Sequence, residues 1–65
     1  MAKREILRDH NFRTIGFLDT EPDGHQRLYS ADFRILGYYD PRQDQTRDGN
    51  FRFVGEGNLL LMLLR

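Results

Sequence analysis

The sequence predicts an all-β fold: a small antiparallel meander of about six short strands in three hairpin-like repeats, closed by a short apolar C-terminal helix or tail. The meander would form either an open curled sheet or a small barrel. Three observations lead there. The phrase Phe-Arg-x-(Ile/Leu/Val)-Gly recurs at residues 12–16, 33–37 and 51–55. Turn chemistry punctuates the chain between these phrases, at "DTEPDG" (19–24), "DPRQDQ" (40–45) and "RDGNF" (47–51). Aromatic and branched residues fill the segments between the turns, and no helix longer than the tail is expected.

The phrases lie 33−12 = 21 and 51−33 = 18 residues apart. A period near 20 is the mark of one supersecondary unit copied along a chain, each copy unable to bury its apolar face alone. The longer match between "RDHNFRTIG" (8–16) and "RDGNFRFVG" (47–55) extends the likeness to Arg-Asp-x-Asn-Phe-Arg-x-x-Gly. The units fall at about 7–19, 28–40 and 46–58 within a single domain, 1–65, and the tail follows at 59–65.

Strands are expected near 4–8, 12–18, 25–30, 33–39, 44–47 and 51–55, rich in aromatic and branched residues. Asp-Pro initiates turns by fixing φ, and Asp-Gly favours tight turns. Asp48-Gly49 in particular suits two adjacent positive φ values. Strict alternation would set Phe12, Thr14, Gly16 and Leu18 against Arg13, Ile15 and Phe17. It would likewise group Phe33, Ile35, Gly37 and Tyr39, and also Phe51, Phe53 and Gly55. Both faces then hold apolar side chains, so both need cover: from the tail, from curling, or from a second subunit. Gly16, Gly37 and Gly55 sit four residues after each Phe. Glycine inside a strand marks a bulge, a bend or the close approach of another backbone.

The tail "GEGNLLLMLLR" opens with two glycines and Asn58, a competent N-cap. Strong helix formers follow, apolar all round, which predicts a buried element. An edge strand is the alternative, because a seven-residue helix is marginal alone. Leu59, Leu60, Leu61, Met62, Leu63 and Leu64 are expected to be buried, several of them at a subunit interface.

Composition excludes several function classes. At 65 residues without cysteine, the chain has neither disulfide nor thiolate metal site to supplement a small core. A partner is the remaining route, most simply a second copy. Ten basic residues balance ten acidic ones, so the chain lacks the basic excess of a phosphate-backbone binder. No apolar leader segment is written at the N-terminus, and the run at 59–64 is too short to span a bilayer as a helix, so a cytoplasmic protein is expected.

"DTEPDG" resembles the opening of an EF-hand loop, with Asp19, Glu21, Asp23 and Gly24 at its first, third, fifth and sixth positions. The twelfth position is Ser30 rather than the bidentate Glu, and flanking helices are missing, so a hairpin turn is the better account. His10 and His25 form no ligand pair at metal-binding spacing. Ser30, Thr14, Thr20 and Thr46 have no local base to activate them. "GNFRFVG" (49–55) resembles the aromatic stretches of nucleic-acid-binding sheets, without their Lys/Arg-Gly-aromatic-Gly order. Tyr38-Tyr39-Asp40 is a single Tyr-Asp unit and carries no family assignment.

The first functional expectation is a non-enzymatic, self-associating or protein-binding module without cofactor or metal. The second is a single-stranded nucleic-acid-binding barrel with contacts from Arg13, Arg34, Arg52, Phe17 and Tyr38. The third is a small enzyme whose site forms between subunits.

Overall fold

In the computed structural model, which describes residues 3–64, six strands run in the order of the chain. They are β1 (Lys3–Arg8), β2 (Thr14–Thr20), β3 (Gln26–Ser30), β4 (Ile35–Asp40), β5 (Gln45–Asp48) and β6 (Phe53–Glu56). All neighbours pair antiparallel in one sheet. The sheet is open, with β1 and β6 as its two edges, so the expected meander forms without closing into a barrel.

The repeated phrase encodes the turns of the three odd-numbered hairpins. In the first, the Phe12 N–H donates to the Asp9 carbonyl and the Asp9 N–H to the Arg13 carbonyl, both at 3.0 Å. The same pair of bonds joins Ser30, Phe33 and Arg34, and again Asp48, Phe51 and Arg52. Asp9 and Asp48 tighten their loops by accepting backbone N–H groups two and four residues ahead on Oδ1. Ser30 Oγ accepts the Arg34 N–H. The third turn residue stands at positive φ in each case: Phe12 at 61°, Phe33 at 66° and Phe51 at 68°. In the β2–β3 turn, bonded in the same way from Glu21 to His25, that position belongs to Gly24 at φ 97°.

This geometry corrects three expectations. Strands begin at Thr14, Ile35 and Phe53, two residues later than the aromatic pattern suggested, because each Phe-Arg pair belongs to its turn. The left-handed residue of the last hairpin is Phe51, with Gly49 outside the positive-φ set. Gly49 is needed instead for space: a Cβ there would lie 2.5 Å from the Ile35 carbonyl oxygen.

The third correction concerns faces. Each repeat carries a bulge that skips Ile15, Leu36 or Val54 in the register. Ile35 opposes Tyr29 while Gly37 opposes Leu28, and Phe53 opposes Arg47 while Gly55 opposes Thr46. Residues two apart across the bulge therefore point to opposite faces, and simple alternation fails there.

One face presents Leu7, Leu18, Leu28 and Thr46 together with the three repeat glycines. The tail crosses this face. It forms a single 3-10 turn, Leu60–Leu63, packed against β4, where an α-helix or edge strand was expected. Asn58 does not occupy the N-cap, which falls on Leu59; Asn58 reaches the Leu60 N–H at 3.3 Å and donates to Gln26 Oε1 at 2.7 Å. A Cβ on Gly55 would meet Leu59 at 2.6 Å, and one on Gly16 would meet Leu64 at 2.8 Å. A Cβ on Gly37 would collide with Leu63 and with the Arg47 carbonyl oxygen at 2.8 Å. The three glycines thus form the trough in which the tail lies. Thr46, wholly buried, fixes the entry: its hydroxyl donates to the Gly57 carbonyl at 2.7 Å and accepts the Leu59 N–H at 2.9 Å.

Burial of the tail is selective. Leu60 is buried and Leu59, Leu63 and Leu64 are half-buried, whereas Leu61 and Met62 are 64% and 71% exposed. A 3-10 turn of three residues per revolution seated on a flat sheet has an outer side, and these two residues occupy it. The single chain leaves these two uncovered, so their expected burial rests on the expected subunit interface. Arg65, included in the expected tail, lies outside the described residues.

Candidate functional site

The opposite face is built from side chains that the register lines up in pairs: Arg4 with Asp19, Ile6 with Phe17, Phe17 with Tyr29, Arg27 with Tyr38, and Tyr38 with Arg47. Two of the turn phenylalanines fold back onto it. Phe33 stacks on Phe17 with centroids 4.5 Å apart and planes 7° from parallel. Phe51 meets Tyr38 edge-to-face at 5.0 Å and 88°. Phe12, in the equivalent turn, lies beside the edge strand β1 of the described sheet and is 84% exposed.

Two arginine environments result. Arg4 donates to both carboxylate oxygens of Asp19 at 2.7 and 2.8 Å, and its guanidinium lies 5.5–5.8 Å from the rings of Phe17, Tyr29 and Phe33. The paired hydrogen bond raises the Arg4 pKa and holds the Asp19 carboxyl below its ordinary value. This cluster is electrostatically satisfied. Around Tyr38 the balance differs. Arg27 bonds to Glu21 through Nη2, and its buried Nε has no protein acceptor. Arg47 bonds to the Phe51 carbonyl at 3.3 Å and lies 5.6 Å from the Phe51 ring, with no carboxylate partner among the described residues.

The residues of the nucleic-acid alternative are dispersed. Arg13, Arg34 and Arg52 stand exposed at hairpin-closing positions along one end of the sheet. Phe17 and Tyr38 lie on the face between the turns, and Phe17 is stacked beneath Phe33. The carboxylates of the EF-hand-like stretch are turned to other partners: Asp19 to Arg4, Glu21 to Arg27, and Asp23 to His25. His25 stands between Asp23 at 2.9 Å and Asp40 at 3.3 Å, a juxtaposition of two turns that spacing along the chain did not reveal. The backbone N–H and ring of His25 keep the Asp23 carboxyl below its usual range. Among the described residues no group of three or more His, Cys, Asp and Glu side chains is arranged to hold a metal ion. No described helix is long and apolar enough to cross a membrane.

On the tail side, a groove of about 330 Å³ runs beside the 3-10 turn, floored by Leu18, Leu59 and Leu60, with Asn58 at one end and Leu61 and Met62 on its rim. A second basin of about 280 Å³ lies on the aromatic face around Tyr38. The chain matches no protein-family model, and neither a curated protein nor a solved structure is similar to it.

Proposed function

We propose that the protein is a non-enzymatic module that associates with a second copy of itself through the tail side of its sheet. The observation that carries this reading is an apolar groove with two exposed apolar side chains, Leu61 and Met62, on its own rim. A surface that bears both a recess and a projection is self-complementary under a two-fold axis, because each copy's projection enters the other's recess. Met suits such a role, being unbranched and able to fill an irregular recess.

The composition of the core supports it. Leu28 and Leu60 are the buried hydrophobic residues among those described, and two of the nine exposed large apolar residues, Leu61 and Met62, line this groove. Covering a large apolar side chain completely stabilises by about 1.5–3 kcal/mol, so an interface here would contribute on the scale of the domain's own marginal stability. Light scattering on the wild-type chain and on Leu61→Glu/Met62→Glu tests the proposal. A dimeric wild type and a monomeric, normally folded double variant are expected. A wild type that stays monomeric at high micromolar concentration overturns it.

A further inference from the structure

The basin around Tyr38 lies on the face away from the tail, and its chemistry is distinct from the association surface. The register sets Arg27, Tyr38 and Arg47 side by side on β3, β4 and β5. Phe51 stands at 88° to Tyr38 and closes one end, and Glu21 and His25 close the other. Two guanidinium groups thus flank a phenol ring in a recess of about 280 Å³.

The basin's two carboxylates, Glu21 and Asp40, equal its two arginines in number, but neither is paired with Arg47. Glu21 is engaged by Arg27, and Asp40 faces His25. Arg47 is left with one long hydrogen bond to a carbonyl and a ring at 5.6 Å. Arg27 is held by Glu21 through Nη2 and its Nε is buried, so Arg27 forms a fixed wall of the basin and Arg47 is the guanidinium with donors to spare. Guanidinium groups with donor capacity to spare form short, charge-assisted bonds to carboxylate or phosphoryl oxygens. The upright Phe51 ring and the Tyr38 ring offer an aromatic body an edge and a face to pack on. The volume lies at the lower end for ligand pockets, which limits the ligand to one or two rings.

We propose that this basin, through Arg27, Tyr38, Arg47 and Phe51, binds a small planar aromatic anion. An anionic head beside Arg47 supplies the partner that this guanidinium lacks, and its ring replaces water over Tyr38. Carboxylate and phosphate heads share this chemistry, so both belong in the test.

The test is a titration of the full chain followed by amide and arginine Nε–H NMR signals. The probes are 2-naphthoate, an aromatic carboxylate, and 2-naphthyl phosphate, which carries a phosphate on the same ring. Neutral 2-naphthamide and non-aromatic acetate serve as comparisons. Saturable shifts centred on Arg27, Tyr38, Arg47 and Phe51 are expected with at least one anionic probe, at least about tenfold tighter than with either comparison. The tighter of the two probes identifies the head group. Arg47→Gln is expected to weaken binding about tenfold or more, while Arg13→Gln, at a turn away from the basin, leaves it unchanged. Absence of saturation by either anion up to about 10 mM overturns the proposal, as does equal binding of the neutral amide to the unmodified chain.

Discussion

Replacing Phe12 or Phe33 with glycine should move stability in opposite directions, although both residues occupy the same turn position at φ 61° and 66°. A non-glycine residue held in the left-handed region costs about 1–2 kcal/mol, and glycine there costs about 0.4–1 kcal/mol in unfolded-state entropy instead. At Phe12 the ring is 84% exposed and is repaid by little packing, so Phe12→Gly should stabilise by about 0.5–1 kcal/mol. At Phe33 the same relief is offset by three losses. Stacking on Phe17 contributes about 0.5–1.5 kcal/mol, the Arg4 cation about 0.5–1, and the ring's buried portion about 1. Phe33→Gly should therefore destabilise by about 1–3 kcal/mol. For a domain of this size, each kcal/mol shifts the melting temperature by about 4–8 °C. Thermal melts followed by far-UV circular dichroism should show Phe12→Gly above wild type and Phe33→Gly below it. Shifts of the same sign and size would refute the argument that ring packing, rather than backbone preference, sustains phenylalanine in these turns.

Thr46→Val should cost about 2–4 kcal/mol by leaving the Gly57 carbonyl and Leu59 N–H without their partner, and Thr46→Ser much less, as denaturant melts would register. Gly37→Ala should destabilise by more than about 2 kcal/mol and release the tail, because the added methyl meets both Leu63 and the Arg47 carbonyl; faster proteolysis after Leu59 checks this. Acid should weaken the fold: Asp19, Asp23 and Asp32 have pKa values lowered by bonds from Arg4, His25 and the Ser30 hydroxyl. Their stabilisation is present above the ordinary carboxylate pKa and fades as pH falls through the lowered values, and Asp19→Asn should flatten the pH-dependence of the melting temperature in that acid range. Single-stranded DNA and RNA should bind weaker than micromolar at near-physiological salt by fluorescence anisotropy, since a balanced charge releases few counterions.

The strand count, their order and the turns between them were legible because turn residues are local signals. Asp40-Pro41 and Asp23-Gly24 mark reversals whatever lies around them. The glycines of the phrase were read as bends, bulges or close approaches of backbone; each follows a bulge residue and lies under a tail leucine side chain. The left-handed phenylalanines were not legible. A phenylalanine before arginine and a branched residue reads as strand, and only the ring's later packing on Phe17 or Tyr38 explains why a turn keeps it. A comparison was nonetheless available in the sequence: Gly24 fills in one turn the position that Phe12, Phe33 and Phe51 fill in three others.

The bulges escaped for a related reason. Alternation assumes one residue per step, and a skipped residue at Ile15, Leu36 or Val54 inverts every assignment beyond it. On the candidate sites, Phe17 and Tyr38 were named as contacts of the nucleic-acid alternative, but the pairs that define the two arginine environments were not found. Arg4 and Asp19 are 15 residues apart, and Arg27, Tyr38 and Arg47 come together only once the register is known. The selective exposure of Leu61 and Met62 followed from the tail's 3-10 geometry, which an unbroken apolar run does not disclose.

Both the fold and the proposed association surface depend on the tail lying in the glycine trough with Leu61 and Met62 outward. Proton NOE spectra of methyl-labelled protein test that arrangement directly. Contacts are predicted from the Leu59, Leu63 and Leu64 methyls to the α-protons of Gly55, Gly37 and Gly16 respectively, with Leu60 also at Gly37 and none from Met62 to any of the three. NOEs from Met62 to these glycines, or a tail whose methyls show none, would contradict it.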